Sequence, residues 1–160
     1  MHIVSWNVAG WKTTVENISE HHKAAAGGAS GGAAALENWL ELMDVDILCL
    51  QEVKLMRSKV PENAVPLGMR SSNYDVFMSL PAGGDSSSGS NGKASKQQSG
   101  GLNGVATYVK KGLTIGARSS ALDDGGELDK EGRCILTNHG TFVVFNVYVP
   151  NGQGGQRMPL

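Results

Sequence analysis

Apolar residues occur along this chain in short bursts, and the spacing differs from one burst to the next. In "HIVSWNV", His2 to Val8, the side chains of Val4, Trp6 and Val8 alternate with Ile3, Ser5 and Asn7, a two-residue period that predicts a strand. After "AGWKTT", the tract "HHKAAAGGASGGAAA" near 21–35 has little that can pack and reads as an inserted loop or weak helix extension. "LENWLELMD" sets Leu36, Trp39, Leu40 and Met43 on one helical stripe with Glu37 and Glu41 opposite, so it predicts an amphipathic helix lying on a sheet. Ile47 to Leu50 is too short for a helix and shows no polar alternation, which predicts a strand buried on both faces. Strand, helix and buried strand make a β-α-β unit.

"YDVFMSL", Tyr74 to Leu80, predicts a third strand with Val76 and Met78 facing opposite to Phe77 and Ser79. The stretch near 81–100, "PAGGDSSSGSNGKASKQQSG", holds no apolar side chain larger than alanine apart from its leading proline, and it reads as a disordered loop. "GVATYVKKGLTIGARS" predicts two short strands around Lys110-Lys111-Gly112, and "GRCILTNHGTFVVFNVYVP" a hairpin turning at Asn138-His139-Gly140. The fold class is mixed α/β (α+β), one domain over 1–160 with those two low-complexity insertions. With one well-formed helix predicted, one face of the sheet is expected to lack a cover.

With 160 residues and 40% hydrophobic content, the chain can bury one core. Its 14 Lys and Arg against 15 Asp and Glu leave a net charge of -1, so contact with a polyanion has to come from local placement of cations. Cys49 and Cys134 sit in apolar runs as small core residues, which points to a reducing compartment. No apolar run is long enough to cross a bilayer, and strand one begins at once, so a soluble cytoplasmic or nuclear protein without a membrane partner is expected.

Asn7, Glu52 and Asn151 each follow directly on an apolar strand, where sheet folds expose side chains to a cleft. Glu52 either caps its turn and pairs with Lys54 or holds Mg²⁺, which needs few protein carboxylates because water and phosphate oxygens complete its shell. Asn7 before Gly10 is a turn residue or an orienting amide. Tyr148 and Asn151 in "YVPN" and Arg133 in "EGR" suit a phosphate, against the plainer readings of an edge tyrosine, a turn and a surface pair with Glu131. Lys54, Arg57 and Lys59 suit a phosphate backbone or a solvated loop. His21 and His22 read as solvated, His139 as structural and Trp39 as core; Trp6 is core or lies under the site.

Taken in order, "IVSWNVAGW", "DILCLQEVK", "SGGLNGVATYVKK", "EGRCIL" and "VYVPNG" resemble the N-terminal half of the exonuclease III and apurinic/apyrimidinic endonuclease family, within the endonuclease/exonuclease/phosphatase superfamily. The resemblance implies a four-layer α-β-β-α sandwich, here reduced to about its first half, in a monomeric nuclear enzyme. It implies Mg²⁺-dependent hydrolysis of DNA beside abasic sites, with Mn²⁺ as a substitute ion and 3′-exonuclease or 3′-phosphodiesterase activity in addition. It places Glu52 and Asn7 at the metal, Asn7, Tyr148 and Asn151 at the scissile phosphate, and Arg133 with Lys54 on the DNA backbone.

The chain departs from that family pattern in three ways. Ala9 stands where the family has an aspartate or asparagine, which weakens a second metal position, and Leu102 stands where an aromatic is usual. The family's "G-D-x-N" and terminal "D-H" segments have no counterpart here, so the second sheet is expected to be absent and the isolated chain inactive. The alternatives are a phosphoinositide or sphingomyelin phosphoesterase of the same superfamily, which should lack "YVPN", and a non-catalytic DNA-binding module.

Overall fold

The structure is a computed structural model that describes residues 1–25, 32–55, 73–81, 103–119, 122, 129 and 132–150. The element order is β1 (Ile3–Asn7), α1 (Trp11–Ala25), α2 (Gly32–Leu42), β2 (Ile47–Gln51), β3 (Tyr74–Ser79), β4 (Val105–Lys110), β5 (Gly116–Ser119), β6 (Cys134–Asn138) and β7 (Val143–Val147). These strands form two sheets. The first runs β1-β2-β4-β3, and the second runs β5-β6-β7.

β1 and β2 are parallel, with Ile3 opposite Ile47 and Asn7 opposite Gln51, as a β-α-β crossover requires. β2 is buried on both faces as predicted. Leu48 and Leu50 pack into a core with Trp11, Val15, Leu36 and Leu40 of the helices, whereas Ile47 and Cys49 face Val144 and Phe142 from the second sheet. The expected uncovered face is therefore covered, and the expectation that the second sheet is missing is overturned. Three of its strands are in this chain, because after β4 the chain leaves the first sheet and enters the second as β5, which pairs with β6. The exposed side lies one layer further out, where Val143, Phe145 and Val147 on the outer face of β7 are each 36–53% exposed.

The helices also differ from expectation. α1 was not predicted, yet Trp11, Val15, Ile18 and Ser19 form a stripe at i, i+4, i+7 and i+8, with Trp11 fully buried. Residues 21–25 continue this helix, and the predicted insertion near 21–35 otherwise falls partly in α2 and partly outside the described residues. α2 ends one residue short of the last position of the expected stripe, leaving Met43 49% exposed. The cause is a Schellman termination: Asp44 takes φ 48°, Val45 N–H donates to the Leu40 carbonyl at 3.1 Å, and Val45 is buried beside Leu40. Trp39 is half-buried against the core and tilted on Trp6 at 5.9 Å between ring centroids. The predicted loop near 81–100 lies outside the described residues beyond Pro81.

The hairpin β6-β7 pairs as predicted, Asn138 opposite Val143. His139 is structural: its Nδ1 lies 2.8 Å from the Leu113 carbonyl, its Nε2 2.9 Å from Thr137 Oγ1, and its ring stacks on Phe142. Cys49 and Cys134 are buried free thiols, and burial pushes the Cys49 thiol up to about 11, so it stays protonated and inert.

Two glycines with positive φ separate backbone strain from close packing. At Gly132 (φ 67°) a Cβ would stand 2.6 Å from the Leu80 backbone, whereas at Gly140 (φ 85°) it would meet nothing. Urea unfolding should show Gly132→Ala costing about 3 kcal/mol, the sum of a left-handed penalty and overpacking, and Gly140→Ala about 1 kcal/mol. Equal costs would remove the packing argument.

Candidate active site

The carboxyl end of β2 carries the site because the chain there is bent on both sides. Glu52 (φ 53°) and Lys54 (φ 54°) are left-handed, and so is Ala9 (φ 49°) on the neighbouring turn after β1. Each non-glycine residue in that region costs about 1 kcal/mol, so the surrounding contacts must hold the bend. Backbone bonds do so: Val8 N–H to the Gln51 carbonyl and Trp11 N–H to that of Val53, each 3.0 Å, and Val53 N–H to that of Gly104 at 3.1 Å. The two turns are thereby laced together and to the start of β4.

Within this frame Asn7 Nδ2 donates to Glu52 Oε1 at 3.0 Å, and Asn7 Oδ1 accepts from the Ala9 backbone N–H at 3.2 Å. Lys54 Nζ stands 3.7 Å from Glu52 Oε2. The Asn7 hydrogen bond holds the Glu52 carboxyl below its ordinary value, with burial opposing and with the Tyr148 phenol and the Lys54 ammonium adding to the lowering. Glu52 is thus an ionised carboxylate at neutral pH, with partners from the end of β1, from its own turn and from just beyond β7.

The structure brings Asn7, Glu52, Lys54 and Tyr148 together. Arg133 is adjacent, since its carbonyl accepts from Tyr148 N–H at 2.8 Å. Asn151 lies outside the described residues, as do Leu102, Arg57, Lys59 and Glu131. Lys54 is turned onto the carboxylate, which answers one of the two readings of Glu52 without excluding the other.

Two polar residues of this region were not singled out from the sequence. Gln51 Nε2 donates to Asn146 Oδ1 at 2.7 Å and to Ser5 Oγ at 3.1 Å, while Asn146 Nδ2 reaches the carbonyls of Ala106 (2.9 Å) and Leu50 (3.2 Å). The available signal was Asn146 itself, a polar residue at an inward position of "VVFNV".

The donor set fits Mg²⁺ through a single carboxylate. Mg²⁺ keeps most of its waters and takes one or two protein carboxylates plus phosphate oxygens, which matches an ionised, partly exposed Glu52. Among the described residues no group of three His, Cys, Asp or Glu is placed to hold a metal. Asn7 engages the carboxylate through its amide nitrogen, and its oxygen is turned to Ala9.

A carboxyl-observed NMR titration should place Glu52 below 4.5, and Asn7→Ala should raise it more than Lys54→Met does. Because the folded value is the lower one, the stability Glu52 contributes is present above 4.5 and is lost as pH falls through the folded value. Asn7→Ala should therefore flatten stability against pH in that acid window. Ala9→Gly should raise stability by up to about 1 kcal/mol by removing the left-handed penalty; destabilisation there would contradict the strained turn.

Comparison with known proteins agrees with this architecture. The chain matches the Endonuclease/Exonuclease/phosphatase family over residues 4–159. It is 26% identical to human DNA-(apurinic or apyrimidinic site) endonuclease 2, covering 98% of this chain and 32% of that protein, and 28% identical to the mouse protein, covering 98% and 31%. The chain thus spans about a third of the length of these curated relatives. Among solved structures it is similar to an AP endonuclease from Leishmania major (TM-score 0.59, 26% identity, 96% of this chain and 41% of that one). A 3′ phosphatase from Neisseria bound to product DNA hairpin shares the fold at TM-score 0.54 and 22% identity, covering 94% of this chain and 42% of that one. With two stacked sheets, helices on one outer face and a family match over nearly its whole length, this chain belongs to the Endonuclease/Exonuclease/phosphatase family.

Proposed function

We propose that this chain carries one half of the active site of a metal-dependent DNA repair phosphodiesterase that cuts at abasic sites, with 3′-phosphodiesterase or 3′-exonuclease activity in addition. The observation that carries the reading is the ionised Glu52, held by Asn7 from β1 and Tyr148 from beyond β7 at the mouth shared by the two sheets. The AP endonuclease relatives and the DNA-bound neighbour support DNA as substrate. We place the enzyme in the nucleus, as a monomer, where that substrate lies.

Glu52 would hold Mg²⁺, or Mn²⁺ in its place; the ion supplies Lewis-acid stabilisation of charge on a phosphoryl oxygen. Asn7 fixes the direction of the Glu52 carboxylate, and its oxygen is the neighbouring candidate for the metal's hydration shell. Lys54 balances the carboxylate's charge and would meet the DNA backbone as a cation beside it. Tyr148 presents a phenol, Asn151 an amide and Arg133 a fork-shaped cation, which together suit the non-bridging oxygens of one phosphate. A nucleophile-activating base is not evident among the described residues: His139 is engaged by Thr137 and the Leu113 carbonyl, and Cys49 is buried and protonated. The base and further metal ligands would therefore come from outside them.

The test is Mg²⁺-dependent cleavage of a duplex bearing one abasic site, by this chain and by a version extended with the downstream segment of its gene. The chain alone should be inactive and the extended protein active. In the extended protein Glu52→Ala should lower kcat at least about 100-fold, Tyr148→Phe about 10- to 100-fold, and chelation of the metal should abolish cleavage. An extended protein unaffected by Glu52→Ala would overturn the assignment.

A further inference from the structure

We infer that Asp129 is a positioning residue that sets Arg133 and, through it, Tyr148 at the site. This rests on the DNA phosphodiesterase reading above and names a part of the machinery that neither the sequence patterns nor the comparisons single out. Asp129 is a carboxylate only 3% exposed, and a buried carboxylate is costly unless donors surround it. The donors here are consecutive backbone groups of one turn. Arg133 N–H bonds to Oδ1, Cys134 N–H bonds to Oδ2 at 2.9 Å, and Ser79 Oγ at the end of β3 lies 3.5 Å from Oδ2.

The same turn is clamped from its other side. Gly132 (φ 67°) lies so close to Leu80 that no Cβ fits, and its N–H donates to the Asp129 carbonyl at 3.4 Å. Held on both sides, Arg133 leaves its carbonyl facing Tyr148 N–H at 2.8 Å, and the Tyr148 phenol bonds to Glu52. A chain of contacts therefore runs from β3 through Asp129 and the Arg133 backbone to the Glu52 carboxylate. A turn that only had to close could satisfy its amides with water; here it is fixed against the sandwich just where an arginine must meet a phosphate at a set distance.

The experiment is a double-mutant cycle on DNA binding, read by fluorescence anisotropy of a duplex carrying a tetrahydrofuran abasic analogue, in EDTA so that no cleavage intervenes. Asp129→Asn keeps the shape but turns an amide nitrogen toward one of the backbone donors. It should weaken binding about tenfold in the native chain and less than about twofold in an Arg133→Ala background, because its effect passes through Arg133. The same fold-loss in both backgrounds marks a merely structural role and overturns the inference. If Asp129→Asn does not fold, Asp129→Glu, which keeps the charge and displaces it by one methylene, is read in the same cycle with the same two outcomes. Arg133→Ala binding as tightly as the native chain, or no binding by the native chain, counts against the DNA reading itself, and the positioning role goes with it.

Discussion

One amide holds the two sheets in the relation that the site needs. Asn146 is 2% exposed, and it enters the layer between the sheets from β7 with its donors on the carbonyls of Leu50 and Ala106 and its oxygen on Gln51. Apolar contacts such as Ile47 and Cys49 against Val144 press the sheets together but tolerate sliding, because dispersion has no direction. A buried amide does have direction. Any shift of β7 along β2 would leave these polar groups unpaired at about 1–3 kcal/mol each. Since Tyr148 is two residues beyond Asn146 and Glu52 one beyond Gln51, this clamp fixes where phenol and carboxylate meet.

Around that fixed point the backbone is bent in ways that regular strands would not adopt. Ala9, Glu52 and Lys54 all take positive φ within two turns that are hydrogen-bonded to each other. The bend lifts the Glu52 side chain out of the strand's alternation, so that it turns toward Asn7 instead of following Leu48 and Leu50 into the core beneath the helices. The strand stops where its chain turns left-handed, and the turn exposes an acid that its neighbours keep ionised.

Much of this was legible in the residues. The parallel pair β1-β2, the doubly buried strand and the β6-β7 hairpin follow from period and polarity, and the meeting of Asn7 with Glu52 from their places after apolar strands; Asn151, expected to converge with them, lies outside the described residues, and Tyr148 entered through the resemblance. Helix α1 was not read because its stripe, Trp11, Val15, Ile18 and Ser19, ends on a serine and runs into "EHHKAAA", where periodicity fades. The second sheet was not recognised because alternation assigns faces, not partners. Val144 and Asn146 inward and Val143, Phe145 and Val147 outward is the same pattern whether β7 joins the first sheet or stacks upon it. Gln51 and Asp129 act through contacts made across the fold, with Asn146 95 positions and Ser79 50 positions away, separations that no local reading reaches.

Whether this assembled corner takes up a divalent ion through Glu52 is the point on which the functional account turns. The most direct measurement is a Mn²⁺ titration followed by paramagnetic broadening of side-chain and amide NMR signals, in the native chain and in Glu52→Gln. The account predicts broadening centred on Glu52, Asn7 and Tyr148 that disappears in Glu52→Gln while the remaining spectrum is unchanged. Broadening centred elsewhere, or undiminished in Glu52→Gln, would contradict it.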